Sequence, residues 1–299
     1  MRAYTLIKAF MKEHGIPYSV SAEGKDCTTF KAGGRLALLA EPRDTASACG
    51  LLSYARECSV PYYIIGNGSN LLIPDEGCDM LFIRLSGELA EFRREGSEFI
   101  CGAAASMASV AKRSVAEGFM GLEWAAGIPG TIGGAVAMNA GAYGGEIQQV
   151  LKSVRAYKDG ELVELFPEEG SMGYRRSDFS YPDMTVLEAT FELAPDDGHA
   201  RERMEDYSAR RRDKQPLSYP SAGSTFKRPE GYFAGKLIED AGLKGLSVGG
   251  ACVSEKHAGF IINKGGATAS DIIGLIEKVR AVVLEKYGVE LEPEVKILK

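Results

Sequence analysis

Residues 121–146 read GLEWAAGIPGTIGGAVAMNAGAYGGE; eight of the twenty-six are glycine and six are alanine. Each glycine adds backbone entropy that folding must remove, so no ordinary helix or strand uses so many. Glycine at this density brings bare backbone close to something, and a phosphorylated cofactor is the expected neighbour. The only tryptophan, Trp124, lies in the same stretch. The 299 residues suit two or three domains rather than one core. Hydrophobic content of 45% and charged content of 25% are those of a soluble globular protein. A net charge of −6 argues against nucleic acid as the main partner, since a phosphate backbone calls for a basic face. A local basic patch for a small anionic substrate remains compatible with it. The apolar runs are short, so no membrane insertion is expected.

The first residues, MRAYTLIKAFMKEHG, carry charges through their apolar stretch and do not read as a signal peptide. The six cysteines, Cys27, Cys49, Cys58, Cys78, Cys101 and Cys252, form no CxxC pair. They read as reduced thiols, and the expected location is the cytoplasm. His14, His199 and His257 have no ligand-like spacing, so no metal site is expected.

Along the chain, Leu6, Ile7, Phe10 and Met11 predict a short packing helix over 4–14 that stops at Gly15. A strand at 35–40, a helix capped by Asp44 or Thr45 and running to about Cys58, and a strand at 60–66 form a βαβ unit. Such a unit implies some parallel sheet. The second strand runs into GNGSNLL at 66–72. This begins like a dinucleotide fingerprint, but Leu71 stands where a Rossmann loop needs glycine, and a turn and a strand at 80–85 follow instead of a helix. The loop is compatible with a phosphate-holding nest and equally with a tight strand–strand turn.

Strand 99–105 and helix 106–117 precede the glycine-rich stretch. A hairpin over 150–166 with Asp159–Gly160 at its turn, and a strand at 184–193, follow it. A charged helix at 200–214 ends in Arg210, Arg211, Arg212 and Lys214, which suit the negative end of the helix dipole. The last part holds an irregular loop at 216–232, a helix at 234–242 and a strand at 257–263. A helix capped by Ser270 or Asp271 then presents Ile272, Leu275, Ile276, Val279, Val282 and Val283. The alternating segment 289–297 ends the pattern. The fold class is α+β, with domains expected at 1–85, 86–199 and 200–299.

Two glycine-rich loops in the first two hundred residues suggest a long anionic ligand held by backbone amides, and FAD fits that description. Glycine-rich turns inside a tightly packed layer of small residues would look similar. The expected lining is Gly66, Asn67, Gly68, Ser69 and Asn70 from the first loop. Gly127, Gly130, Thr131, Gly133, Gly134, Asn139 and Gly141 come from the second.

The segments IIGNGSNLLIPDEG, GLEWAAGIPGTIGGAVAMNAGAYGGEI, YRRSDF, SAGSTFKRPEGYFAGKLIEDAGLKG, VSEKHAGFIIN and VELEPEVKIL occur in this order from about Thr28 to Lys296. Together they resemble the UDP-N-acetylenolpyruvoylglucosamine reductase (UDP-N-acetylmuramate dehydrogenase) family. Within it they are similar to the subgroup without an inserted tyrosine-bearing loop. The resemblance implies two FAD-binding subdomains of the vanillyl-alcohol-oxidase and para-cresol-methylhydroxylase type, followed by a C-terminal α+β substrate domain. It implies FAD and NADPH as cofactors and UDP-N-acetylglucosamine enolpyruvate as the substrate, reduced to UDP-N-acetylmuramate.

The resemblance assigns Arg175 to the substrate carboxylate, Ser224 as proton donor, and Glu294 to stabilising or positioning the intermediate. Tyr174 and Lys214 match substrate-binding positions, Lys214 by the phosphate or carboxylate region. Arg228 occupies a position where some relatives hold asparagine. Residue chemistry agrees with these roles. A guanidinium grips a carboxylate in bidentate fashion, and serine can protonate carbon only with its conjugate base stabilised. Thr225 is adjacent, and only the motif register favours Ser224. By periodicity alone Glu294 is one of several acidic residues on a solvated strand face, and His257 reads as a packed histidine. Two other readings remain: another FAD-linked oxidase on this scaffold, and a non-catalytic nucleotide-sugar-binding protein. With no histidine between Lys25 and Asp197, covalent flavin attachment through histidine in the FAD-binding region is not expected. A monomer is expected.

Overall fold

The structure, a computed structural model, describes residues 2–180 and 183–298. Its contacts gather the chain into two units. The first comprises Met1–Val20, Leu38–Gly66 and Met80–Ala209, and the second Ser21–Ala37, Asn67–Asp79 and Arg210–Lys299. Neither unit is a single run of sequence, so composition shifts along the chain carry no trace of them. Each has its own buried apolar cluster.

The first unit is built on an antiparallel five-stranded sheet. Its order is Glu161–Leu165, Leu151–Lys158, Met184–Glu192, Glu98–Gly102, Phe92–Glu95. The expected hairpin is present: Lys158 pairs with Glu161, and Asp159 and Gly160 take φ of +52° and +97° between them. Two left-handed residues match the right-handed twist of the strands they join. The helix Thr45–Glu57 starts with Asp44, whose side chain accepts from Ser47 N in a capping box. Its Ala48, Leu51, Leu52 and Ala55 are buried, as their spacing predicts. The helix Arg2–Glu13 buries Ile7 and Met11 and stacks Phe10 on Tyr54 at 4.5 Å, while Leu6 faces out.

The parallel pairing implied by the βαβ pattern occurs with a different partner. Tyr62–Ile64 pairs in parallel with Cys78–Ile83, which lies between it and Arg35–Ala40. Cys78–Ile83, two strands further along the chain, thus takes the place beside Arg35–Ala40 that the pattern alone would give to Tyr62–Ile64. A polar anchor holds the start of the helix Ala200–Lys214 to the glycine-rich stretch. Arg203 donates to the buried Glu123 at 2.7 and 2.9 Å and to Asp197 at 2.8 and 2.9 Å. The Arg203 guanidinium holds the Asp197 carboxyl at about 2.

In the second unit the helix Ala269–Tyr287 buries Ile272, Leu275, Ile276, Val279 and Val283, each adding about 1.5–3 kcal/mol of apolar burial. Its cap is Thr268, two residues before Ser270 and three before Asp271, and Asp271 completes the capping box from inside the helix. Asp75 adds a second cap from afar, accepting from Ala269 N at 2.6 Å, Ser270 N at 2.8 Å and Ser270 Oγ at 2.6 Å. Partial burial disfavours the charged Asp75 carboxylate, but these bonds outweigh it and hold its pKa below the ordinary range. The expected strand at 257–263 shrinks to Ile261–Asn263, because a turn closed by Phe260 N to His257 O takes up the first half. The segment 289–297 keeps its alternation, with Leu291 and Val295 buried and Glu290, Glu292 and Lys296 exposed. Only Lys296–Ile297 is a strand, parallel to Leu71–Leu72, and Pro293, which has no amide to donate, precedes it. No helix among the described residues is long and apolar enough to cross a membrane.

Asp75→Ala should lower unfolding free energy by about 1–2 kcal/mol, measured as a shifted urea midpoint at unchanged slope. The depressed pKa places this contribution above the ordinary aspartate range, and it is lost as pH falls below that range. An unshifted midpoint at neutral pH would mean that Thr268 alone caps the helix.

Candidate functional site

In the first unit the glycine-rich stretch folds into a short helix, Ile132–Ala137, between two irregular loops. Thr131 caps it, Oγ1 accepting from Gly134 N at 3.4 Å. A Cβ on Gly66 would lie 2.5 Å from that same Oγ1, so the first glycine loop begins against the cap of the second. The amides of Ile132 and Gly133 donate to the carbonyls of Ala105 and Ala103 at 2.9 and 2.8 Å. A Cβ on Gly133 would meet the Ala103 Cβ at 3.0 Å, and one on Gly145 would stand 2.1 Å from the Trp124 ring. The indole itself donates to Gly121 O at 2.9 Å.

Gly133, Gly141 and Gly145 are therefore glycine because neighbouring protein atoms, the Ala103 methyl, the Glu146 stem with Gly145 O, and the Trp124 ring, fill the space a side chain would need. Gly134 differs: it is exposed, and an added Cβ would touch only Thr131 Oγ1 at 3.5 Å. Gly127 and Gly130 are half-buried. The stretch is thus a packed layer that leaves backbone bare at Gly134, and bare backbone of that kind is compatible with a close-lying cofactor. No group of three or more His, Cys, Asp or Glu with metal-binding geometry occurs among the described residues.

Arg175 sits in the two-residue turn of a small hairpin, Met172–Gly173 paired with Arg176–Ser177. It takes φ +54°, a left-handed conformation that costs an ordinary residue about 1–2 kcal/mol. Its Nη2 donates to Gly141 O at 3.2 Å, and its guanidinium lies 5.1 Å from the centroid of the half-exposed Tyr174 ring. Asn139, fully buried at φ +42°, donates through Nδ2 to Gly173 O and to Glu146 Oε2, both at 3.0 Å. Its Oδ1 accepts from Gln148 N at 3.0 Å. The Asn139 amide is thus engaged inside the fold, and what it can lend a cofactor is backbone shape.

In the second unit Gly68, at φ +61°, presses on the neighbouring chain: a Cβ there would be 2.0 Å from Cys27 O. Its carbonyl accepts from Thr29 N at 3.2 Å. The loop's last residue, Asn70, donates from Nδ2 to Glu294 O and accepts at its carbonyl from Lys296 N, both at 3.0 Å. Glu294 N in turn donates to Thr225 O at 2.8 Å, and Lys227 N to Glu292 O at 2.8 Å, around the bridge Phe226–Pro293. The segments at Ser224 and Glu294 therefore meet in one small antiparallel ladder, and Asn70 joins the Glu294 segment from the side where Leu71–Leu72 runs parallel to Lys296–Ile297.

That ladder separates the two adjacent hydroxyls. Thr225 is fully buried, its Oγ1 accepting from Ile261 N at 3.0 Å, whereas Ser224 is exposed after the left-handed Gly223. Glu294 is half-buried, unlike the exposed Glu290 and Glu292, so it departs from the solvated face that periodicity suggests. Lys214 ends the helix Ala200–Lys214 exposed, and Arg228 stacks on the Phe233 ring at 4.0 Å. His257 is half-buried and accepts at Nδ1 from Gly259 N at 3.1 Å, which leaves the proton on Nε2. Burial, aided by the cations of Lys244 and Lys214, pushes its pKa down. Sequence reasoning missed Glu146 and the bonding of Asn139, because the bonds join residues 139, 146, 148 and 173 through no recurring spacing.

Residues 36–165 match the family described as FAD binding domain, and residues 215–298 match the C-terminal domain of UDP-N-acetylenolpyruvoylglucosamine reductase. The chain is 49% identical to the UDP-N-acetylenolpyruvoylglucosamine reductase of Clostridium botulinum over 276 residues, 92% of this chain and 90% of that one. It is 44% identical to the Clostridium perfringens reductase over 300 residues, covering 100% of this chain and 98% of the relative. Among solved structures it is similar to the Thermus caldophilus UDP-N-acetylenolpyruvylglucosamine reductase, with a TM-score of 0.82 at 34% identity. That alignment covers 95% of this chain and 99% of the other.

Thr225→Val should leave the Ile261 amide buried and unpaired and cost about 1–3 kcal/mol of stability, read from the urea midpoint. Ser224→Ala, at an exposed position, should leave the midpoint unmoved. Equal effects of the two variants would contradict the division of labour between the hydroxyls.

Proposed function

The chain belongs to the UDP-N-acetylenolpyruvoylglucosamine reductase family, and on that premise we propose how its residues perform the reaction. It is an FAD-dependent oxidoreductase that uses NADPH to convert UDP-N-acetylglucosamine enolpyruvate to UDP-N-acetylmuramate, a step of peptidoglycan precursor synthesis. FAD, when bound, supplies the redox chemistry, taking a hydride from NADPH and delivering it to the enolpyruvyl double bond. Gly66–Asn70 and the small-residue run from Gly127 to Gly141, with Thr131 as cap, are the segments that would hold it.

Reduction of the enolpyruvyl ether adds a hydride at the terminal methylene carbon and a proton at the ether-bearing carbon. Negative charge grows beside the substrate carboxylate as the hydride arrives. Arg175 grips that carboxylate and stabilises the charge, its guanidinium keeping a full positive charge throughout. Ser224 gives its proton to the ether-bearing carbon, and Glu294, on the same ladder, orients the charged centre. Tyr174, Lys214 and Arg228 contribute to substrate binding, Lys214 in the phosphate or carboxylate region. The observation that carries this assignment is the ladder that exposes Ser224, buries Thr225 and joins them to the Glu294 segment.

Residues 1–85 and 86–199 act as the two FAD-binding subdomains and 200–299 as the substrate domain. All six cysteines are free thiols, in keeping with a cytoplasmic location, and the enzyme is proposed to act as a monomer. The net charge of −6 disfavours nucleic acid as a partner.

The purified protein should be yellow, lose its flavin absorbance on anaerobic addition of NADPH, and regain it with UDP-N-acetylglucosamine enolpyruvate but not with simple alcohols. A colourless protein that takes up no FAD would overturn the reading. Ser224→Ala should leave the NADPH step within about twofold and slow the substrate step by about 10²–10⁴-fold. Arg175→Ala should act in the same step, by about 10²–10³-fold. Equal slowing of both steps would show that these residues serve the cofactor.

A further inference from the structure

Asn139 is the most deeply enclosed polar side chain of the glycine-rich stretch, with 0% exposure. Its amide orientation is forced by its neighbours. Gln148 N must meet an acceptor, and the Glu146 carboxylate and Gly173 carbonyl must meet donors, so Oδ1 faces the first and Nδ2 the other two. Glu146 is itself held by Gln148 Nε2, which donates to the same Oε2 at 2.6 Å. Each proton of Nδ2 thus has its own acceptor, and a residue that tolerates positive φ supplies them.

Gly173 immediately precedes the turn residues Tyr174 and Arg175 and pairs with Arg176 across the hairpin. Gly141, two residues beyond Asn139, takes the Arg175 guanidinium on its carbonyl. The run 139–141 therefore holds Arg175 at two points, by the backbone at the root of its turn and by its side chain. A left-handed arginine persists only where its surroundings over-determine it. The bracket made of Asn139, Glu146 and Gly141 is that surrounding.

We propose that Asn139, supported by Glu146, is a positioning residue for Arg175: it fixes the hairpin root and so the direction in which the guanidinium meets the substrate carboxylate. This rests on the reading of Arg175 given above. It makes the end of the glycine-rich stretch a scaffold for substrate recognition as well as part of the cofactor wall.

Asn139→Asp tests it. The carboxylate has nearly the same shape but no donor, so it opposes the Glu146 carboxylate and the Gly173 carbonyl that Asn139 now joins. In the FAD-loaded enzyme, the substrate step should slow by about tenfold to a hundredfold, and substrate affinity measured by calorimetry should weaken. In the Arg175→Ala background the same substitution should change the substrate step by less than about twofold, because its route of action is gone. Glu146→Ala, which keeps the Asn139 amide and its Gly173 bond, is the second variant. It should slow the same step by about threefold to tenfold, and it decides the matter if Asn139→Asp does not fold. In Glu146→Ala, which lies outside the run that would hold the cofactor, flavin content and the rate of reduction by NADPH should stay within about twofold.

Equal loss in both steps of Glu146→Ala, flavin lost from that variant, or full additivity of Asn139→Asp with Arg175→Ala would overturn the proposal. An unchanged substrate step in Glu146→Ala would do the same. If Arg175→Ala itself leaves the substrate step intact, the assignment of Arg175 fails; if only the Asn139 and Glu146 variants do, the positioning role fails alone.

Discussion

Close approach of bare backbone is the constraint on which the rest depends. A side chain at Gly66 would strike the Thr131 cap, one at Gly68 the carbonyl of Cys27, and one at Gly133 the side chain of Ala103. No rotamer change relieves a Cβ that lies 2.0 Å from a carbonyl oxygen. These contacts let two loops of low intrinsic stability hold a defined shape. Where the glycine-rich stretch is not packed, at the exposed Gly134, an added Cβ would meet only the Thr131 hydroxyl. Because so many glycines serve the protein's own packing, the packed-layer reading and the cofactor-wall reading of the stretch describe two sides of the same wall.

On that frame, polar groups are sorted by burial. Thr225 and Asn139 are enclosed and bonded on every side that matters, and they hold backbone in place. Ser224 is exposed, and Arg175 is carried on a strained turn. Each group suited to chemistry thus has a buried neighbour that fixes it: Thr225 beside Ser224, and Asn139 behind Arg175. Strain of about 1–2 kcal/mol in the Arg175 backbone is small against the bonds that anchor its turn. Its survival in the fold is what points to a use.

Much of this was legible in the chain. Period-two and helical spacing located the hairpin with its Asp159–Gly160 turn, the helix Thr45–Glu57 with Asp44 as one of two candidate caps, and the buried stripe of Ala269–Tyr287, because those signals are local. The resemblance in ordered motifs identified the family. What local signals missed has a common cause. Thr268 displaced Ser270 and Asp271 as cap because the capping box needs both Thr268 and Asp271, and Asp75, far off in sequence, occupies Ser270. The strand at 289–297 reduced to Lys296–Ile297, paired with Leu71–Leu72, because Pro293 before it has no amide to donate.

The sequence by itself determined the glycine density, the apolar faces and the order of motifs, since each depends on residue type and spacing along the chain. It left Ser224 and Thr225 equivalent, Glu294 on a solvated face and Asn139 without a bonding role. Only the tertiary structure decided these, by burying one hydroxyl against Ile261 N, half-burying Glu294 on the ladder, and closing the Asn139 amide on Gly173. The physical reason is that burial and hydrogen bonding at these positions come from residues tens to hundreds of positions away. Nothing in a local pattern encodes which of two neighbouring side chains such a partner will reach.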